Sequence, residues 1–459
     1  MDARLPSARV LFPSGMLGAG FPSGSLERGL ALNPDAIALD AGSTDSGPYY
    51  LGTGSCKSSE AAIESDLRAL LVASRQAGIP LIVSSCGTAG TDSGVDWVAD
   101  IAERVAKEEG LSFTLARVYS ELSHETVLTA LRAGRVRALP PLGPLEEDQV
   151  TGCGHVVGLM GHEPILDALN AGADVVLAGR ATDTATVAAV GYRHGIAPGP
   201  VWHAAKTVEC GSQCTDSPRG GGVFVEIDDE GFTVTPVTDD AHCTPTTVAA
   251  HMLYENADPF HLTEPGGVLD TTDATYVALD EHRTRVERSR FTAALQHTIK
   301  VEGARLSGYE TIALVGIRDP AVIADLDTWV DQVRRNTQSR VQESLGLDPS
   351  AYSLQLRRYG QDAILGGLET TDQRPHEVLI MFKARAGDQQ TANAIAKTAN
   401  PLLLHMPLPG MAYLPSFAFA TSPAELDRGP CHEFVLNHVI KVASGTELFR
   451  TIVSEVANG

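Results

Sequence analysis

The sequence predicts an α/β fold in two parts. A Rossmann-like domain over 1–200, with a mostly parallel sheet and flanking helices, precedes an α+β domain over 201–459. Three observations lead there. Short apolar runs alternate with helix-period segments over the first 200 residues, the rhythm of βαβ units. A Gly- and Pro-rich stretch at 198–222 then breaks that rhythm. Beyond it, strand and helix patterns mix without alternation.

Taken in order, Ala36 to Leu39 is an apolar run that ends in Asp40 and reads as a strand. From Ser58 the pattern turns helical, with Ile63, Leu67, Leu70 and Leu71 on one face. Gly78 stops that helix, and Ile79-Pro80 leads into the strand Leu81-Ile82-Val83. Val98, Ile101, Ala102 and Val105 mark a second helix, closed by Gly110. A strand over 113–118 follows, then a helix with Ser123 as N-cap. Residues 137–154, with Pro140-Pro141 and Glu146-Glu147-Asp148, read as a surface excursion or lid. A helix over 164–169, a strand over 175–177 and a helix over 182–192 resume the alternation. Past the junction, 223–227 and 232–237 read as a hairpin. Strands over 311–315, 352–358 and 377–382 and helices over 321–334 and 390–403 make up the second part. There is no internal repeat and no heptad pattern.

Composition removes several classes of function. With 43% hydrophobic and 20% charged residues, the chain is ordinary for a globular protein. Its formal charge of −22 opposes binding to nucleic acid or anionic membranes. Seven thinly spaced cysteines fit reduced thiols better than a disulfide framework. Residues 1–12 lack the pattern of a secretion signal, and no apolar run approaches the ~18 residues of a membrane span. A cytoplasmic protein is expected, and a homo-oligomer on general grounds.

Three strand-to-helix loops carry the chemistry. They are Asp40-Ala41-Gly42-Ser43-Thr44-Asp45-Ser46-Gly47, Ser84-Ser85-Cys86-Gly87-Thr88-Ala89-Gly90 and Gly179-Arg180-Ala181-Thr182-Asp183-Thr184. In a parallel sheet such loops emerge at one carboxyl edge, where ligands sit. Their small residues and free amides suit an anion, and Arg180 offers a fork for a carboxylate or phosphate. Asp40, Asp45 and Asp183 supply carboxylates. Gly42, Ser43, Thr44, Gly87, Thr88, Arg180 and Thr182 are the expected substrate-binding residues of these loops, with Tyr49 packed beside the first. Singly, each loop is equally readable as a capped turn. Gly18-Ala19-Gly20-Phe21-Pro22-Ser23-Gly24 invites a nicotinamide reading, but its spacing is GxGxxxG and a plain turn explains it.

A second cluster lies at the junction: His203, Lys206, Glu209, Cys210, Cys214 and Arg219, with His242-Cys243 further on. Glu209 and Cys210 are candidates for acid–base or nucleophilic work. Cys210-x3-Cys214 is a zinc-like spacing without a second close ligand pair, so no metal is expected. The stretch from His251 to Asn256, then His261 and Glu264 before Pro265-Gly266-Gly267, is dense in polar groups around a turn. His261 is a candidate acid or base and Glu264 a candidate binding residue. Lys300 and Arg305 add positive charge. His155 and His162-Glu163 read as satisfied or exposed side chains.

Several of these motifs, in this order, resemble the acyclic terpene utilisation (AtuA-like) family. They include 17–21, 39–50, 87–90, 179–183, Glu209-Cys210-Gly211, Leu253-Tyr254-Glu255-Asn256 and the run from Leu262 to Asp270. The resemblance covers nearly the whole chain. It implies a catabolic role on branched isoprenoid acids handled as coenzyme A thioesters. It also implies, for some members, a small separately encoded partner; with no extra C-terminal domain evident, such a partner would act in trans. The expected function is a hydratase–dehydratase lyase on a small hydroxy or unsaturated acid or its thioester, with no cofactor. The alternatives are a half-site subunit needing that partner and a nicotinamide-dependent oxidoreductase.

Overall fold

Apolar runs too continuous to have a wet face become the centre of one sheet. In the computed structural model, which describes residues 7–219, 221–371 and 374–457, the chain forms β1 (Ala8–Phe12), β2 (Ala36–Asp40), β3 (Leu81–Ser84) and β4 (Phe113–Tyr119) in turn. It then makes β5 (Val136–Ala138) and β6 (Cys153–Gly158) outside this sheet, and returns as β7 (Val175–Ala178) between β3 and β4. Every residue of β2, β3 and β7 is buried, as strands covered on both faces require.

The helices follow from capping and periodicity. Ser59 caps the helix Glu60–Ala77 by accepting from the Ala62 amide, and Gly78 ends it at φ 66°. Ile63, Leu67, Leu70 and Leu71 are buried, each worth about 2 kcal/mol by area. Asp92–Glu109 repeats the scheme with Thr91 and Gly110, and packs on its predecessor. Ser123 caps the helix His124–Arg132 as expected. The helix Glu163–Asn170 sits in the returning β4-to-β7 connection, so a right-handed crossover places it on the opposite face. Ala185–Arg193 and Pro198–Val208 pack in succession beside it.

Here the expected architecture needs correction. β8 (Val223–Ile227) and β9 (Gly231–Pro236) form the expected hairpin, but β8 pairs antiparallel with β1. After β10 (His261–Glu264) and β11 (Gly267–Asp270), the hairpin of β12 (Thr275–Ala278) and β13 (Thr284–Glu287) extends the sheet beyond β9. β14 (Arg290–Ala293) pairs with β11 in a separate three-stranded sheet. The long β15 (Thr298–Ile317) then begins by pairing with β6.

By its contacts the chain divides into unit 1, Met1–Arg305 with Phe434–Gly459, and unit 2, Leu306–Glu433. Residues 198–222, expected as the junction, therefore lie inside unit 1: an open β1 edge takes backbone partners from the hairpin that follows. Gly220 of that stretch, and residues 1–6 of the segment read for a secretion signal, lie outside the described residues.

Unit 2 is α+β, as expected of the later chain. Its sheet joins residues 309–317 of β15 with β17 (Val378–Ala386), and β17 with β16 (Tyr352–Tyr359). The short β18 (Ala418–Phe419) also pairs with β15. The helices Leu326–Leu345 and Gln389–His405 pack on each other, burying Trp329, Val333, Ile395 and Ala399. The single helix expected over 321–334 is two, Pro320–Ala324 and Leu326–Leu345, because Asp325 leaves helical geometry at φ −136°. β19 (Glu425–Lys441) brings the chain back to unit 1, where its end pairs with β5.

Last, β20 (Arg450–Val456) closes the main sheet antiparallel on β4. Among the described residues that sheet runs β12-β13-β9-β8-β1-β2-β3-β7-β4-β20. Only β1, β2, β3, β7 and β4 are mutually parallel, so the sheet is mixed rather than mostly parallel. Nor does the order reverse beside β1, where a dinucleotide fold opens its crevice.

Candidate functional site

The three loops do leave one edge of the parallel strands, and glycines stitch them together. A Cβ on Gly42 would lie 2.5 Å from the Thr88 Cα, and one on Gly90 2.1 Å from the Arg180 nitrogen. Only glycine allows such approach, and both adopt positive φ. The Ser85 amide donates to the Gly179 carbonyl at 2.9 Å, and the Arg180 amide to the Ser120 hydroxyl at 2.6 Å. Ser85 (φ 50°) and Thr88 (φ 78°) hold left-handed backbone without being glycine, a strain that often marks functional loops.

Carboxyl groups gather behind these loops. Asp40 is buried and accepts from the Ser84 hydroxyl at 2.9 Å and the Gly42 amide at 3.0 Å. Burial and the charge of Asp183 push it up to about 7, against the pull of Arg180. Asp183 lies 3.6 Å from the Arg180 guanidinium and keeps 35% of its side chain exposed; burial of its carboxyl raises its pKa. Glu264, buried on β10, accepts from the Thr184 hydroxyl at 2.9 Å and is pushed up to about 7, chiefly by burial. Glu209 is buried, paired with Lys206, and pushed up to about 8 by burial and by the neighbouring acids.

Arg180 does not face open solvent. Its Nε donates to Glu302 at 3.2 Å and its Nη1 to the Ala181 carbonyl at 3.0 Å. Glu302, from β15, also accepts from Thr44 at 3.0 Å and Lys300 at 2.8 Å. Burial opposes its charge, but Arg180 and Lys300 outweigh that and hold it near 2. Lys300, about one-third exposed, is the cation that reaches two clefts. One, of about 310 Å³, is lined by Thr182, Glu264, Lys300 and the apolar Leu139, Leu159, Ile299 and Val439. The other, of about 400 Å³, is lined by Thr44, Asp45, Lys300 and Glu302. A larger opening of about 560 Å³ lies wholly in unit 2 and contains none of these groups, so its size says nothing about the carboxyl cluster.

Of the expected residues, Asp40, Asp183, Glu209, Glu264, Arg180, Thr44 and Thr182 thus take part in the cluster or its clefts. Ser43 caps the turn that carries Asp45, accepting from its amide and donating to its exposed carboxylate at 2.8 Å. Gly87 packs on the Gly94 backbone, and Thr88 accepts from the Lys57 amide at 2.9 Å. Both hold the second loop in shape. Tyr49 meets Tyr50 edge to face. His261 is exposed and paired with Asp258 at 3.1 Å, because β10 alternates and turns it away while Glu264 turns inward.

Glu302 escaped the sequence reading. Its signal was its position two residues after Lys300, on the same face of a strand.

The glycine loop before the first helix is already occupied. Asp66 accepts from the Gly18 amide at 2.8 Å and the Gly20 amide at 2.9 Å, where a pyrophosphate would need them. The two cysteines of the zinc-like spacing have different partners. Cys214 is buried and contacts the Gly211 carbonyl and Cys243. What comes together instead is Glu209, Cys210 and His251, whose donor atoms lie within 4.8 Å of one another. All seven cysteines are free. Among the described residues no helix is long and apolar enough to cross a membrane.

Comparison with known proteins adds one finding. The model of the family described as acyclic terpene utilisation family protein AtuA matches residues 57–425. No curated protein and no solved structure matches the chain.

Proposed function

The chain belongs to the acyclic terpene utilisation family, and from that premise we propose that it is a hydratase–dehydratase acting on a small branched hydroxy or unsaturated acid, or its coenzyme A thioester. The observation that carries this reading is a carboxyl on the cleft wall, Glu264, with a second, Asp183, next in the chain to Thr182 of the same wall. Burial raises both, but Asp183 lies against the Arg180 guanidinium, which favours its charged form, whereas Glu264 holds its proton to about pH 7. Elimination of water needs such a base and such an acid.

Lys300 meets the substrate carboxylate or thioester carbonyl. Asp183 takes the proton from the carbon beside that carbonyl, the C=C bond forms, and the C–O bond breaks. Glu264 gives its proton to the departing hydroxyl, which leaves as water. Hydration is the reverse, and nothing is oxidised. Arg180 acts behind this pair: with Glu302 and Thr44 it fixes the loop that carries Asp183. A cleft of about 310 Å³ with apolar walls suits a short branched acyl chain.

The test is the near-ultraviolet absorbance of conjugated acids and thioesters during incubation with their β-hydroxy counterparts. Wild type should change it, and Asp183→Asn or Glu264→Gln should slow the change by about 10²–10⁴-fold. No change with any substrate, or equal rates in all three proteins, rejects the reading.

One observation favours a second reading, a half-site subunit with a small partner. In unit 2, Ile364, Leu365 and Leu368 expose 82%, 52% and 79% of their surface beside the unit's own cleft, an apolar strip suited to a docking protein. Activity that appears only on adding the small protein would select it. The nicotinamide alternative has lost its amides to Asp66, and a cofactor titration should be flat.

A further inference from the structure

We propose that Glu209, Cys210 and His251 form a zinc site, taking one Zn²⁺ through a carboxylate oxygen, a thiolate and an imidazole nitrogen and leaving a coordination position for water or a substrate oxygen. The site goes beyond the elimination chemistry above and does not depend on it.

Three independent features converge. The first is the donor set. The three atoms lie within 4.8 Å of one another, while ligands on a tetrahedral zinc stand about 3.3–3.8 Å apart, given bonds of ~2.0–2.3 Å. Closing that gap takes about 1 Å, within the reach of side-chain rotation. Sulfur with imidazole favours zinc over the hard cations magnesium and calcium.

The second is His251 itself. It is 95% buried, with 5% of its surface exposed, yet its Nε2 has no hydrogen-bond partner. A buried polar atom left unsatisfied costs about 1–3 kcal/mol, so it needs an explanation. The ring meets the Lys206 main-chain carbonyl, and with Nε2 unpartnered that leaves Nδ1 as the donor. This fixes the tautomer whose Nε2 lone pair is available; most zinc-bound histidines are held in the same way, the other ring N–H donating to a carbonyl or carboxylate.

The third is charge. The carboxyls of Glu209, Asp183 and Glu255 face Cys210, with Lys206 as the cation among them, surroundings that favour a bound positive ion.

Backbone packing holds the thiol in place. Gly15 lies against the Cys210 carbonyl, and Gly211, at φ 62°, against the Gly15 amide, so a side chain at either would push the turn away. Cys210 is only partly buried, which gives an ion a way in. On binding, the thiol proton passes to solvent and the sulfur bonds the metal.

The test uses the full-length protein, stripped with a chelator and titrated with Co²⁺ and then Zn²⁺. One ion per chain should bind, with a thiolate-to-cobalt charge-transfer band that zinc abolishes. Zinc should also shield Cys210 from alkylation, read by mass spectrometry of the wild type without any variant. Cys210→Ser should lose the band. His251→Gln should weaken zinc by at least about 100-fold, since loss of a group that only orients a ligand costs about 10–100-fold. Cys214→Ser should keep both band and affinity, and circular dichroism checks that each variant folds. Absence of the band in wild type, unchanged alkylation of Cys210 with zinc, or a band that survives Cys210→Ser overturns the proposal. Since every readout is binding, a zinc-loaded protein without dehydratase activity would reject the reaction and keep the site.

Discussion

Glu264 should make the protein less stable as pH rises through neutrality, and Glu264→Gln should remove that share of the loss. The folded carboxyl is buried and pushed up to about 7 from an ordinary 4.5. The folded chain therefore holds a proton between those values that the unfolded chain has released. Stability falls wherever the folded state binds more protons, so this group's contribution is present below about pH 4.5 and lost as pH rises through about 7. A shift of roughly 2.5 units at 1.36 kcal/mol each amounts to about 3 kcal/mol. Glutamine keeps the shape and can still bond Thr184, but carries no proton to lose. Urea unfolding of both proteins at intervals between about pH 5 and 8.5 measures the difference. Asp40, Asp183 and Glu209 are raised too, so the variant still weakens with pH, but by about 3 kcal/mol less. Parallel curves for the two proteins would refute the reasoning.

Three further outcomes follow from the same geometry. Arg180→Met leaves buried Glu302 with Lys300 alone and should cost about 3–5 kcal/mol at pH 7, most of it recovered in Arg180→Met with Glu302→Met; a double variant as unstable as the single would exclude the pair as the cause. Glu302 is held near 2, so its share of stability is present above about pH 4.5 and lost as pH falls through 2; Glu302→Gln should flatten the acid limb, read by circular dichroism during acid titration. Gly90→Ala meets the Arg180 backbone at 2.1 Å and should prevent folding or cost well over 3 kcal/mol, whereas Gly78→Ala, at a similar φ with nothing within 4 Å, should cost only about 1–2 kcal/mol in thermal or urea unfolding.

What the sequence determined by itself is local. The caps Ser59 and Ser123, the glycine stops at 78 and 110, the buried stripe of Ile63, Leu67, Leu70 and Leu71, and the three loops are properties of short windows, and windows can be read. The βα rhythm even assigned Asp40, Gly42, Arg180 and Asp183 to one edge, because every parallel strand puts its following loop there. Tertiary structure decided the rest. A sequence does not show which strand an edge will recruit, so the 223–237 hairpin read as a new domain when it was an extension of the old sheet. Alternation shows that His261 and Glu264 face opposite ways, but not which way is in. Burial decides that, and burial pushes Glu264 up to about 7 while leaving His261 in water. Glu302 lies 122 residues from Arg180 and His251 more than 40 from Glu209. Such partners meet only when the chain closes, which is why the buried ion pair and the Glu209–Cys210–His251 cluster belong to the fold and not to any motif.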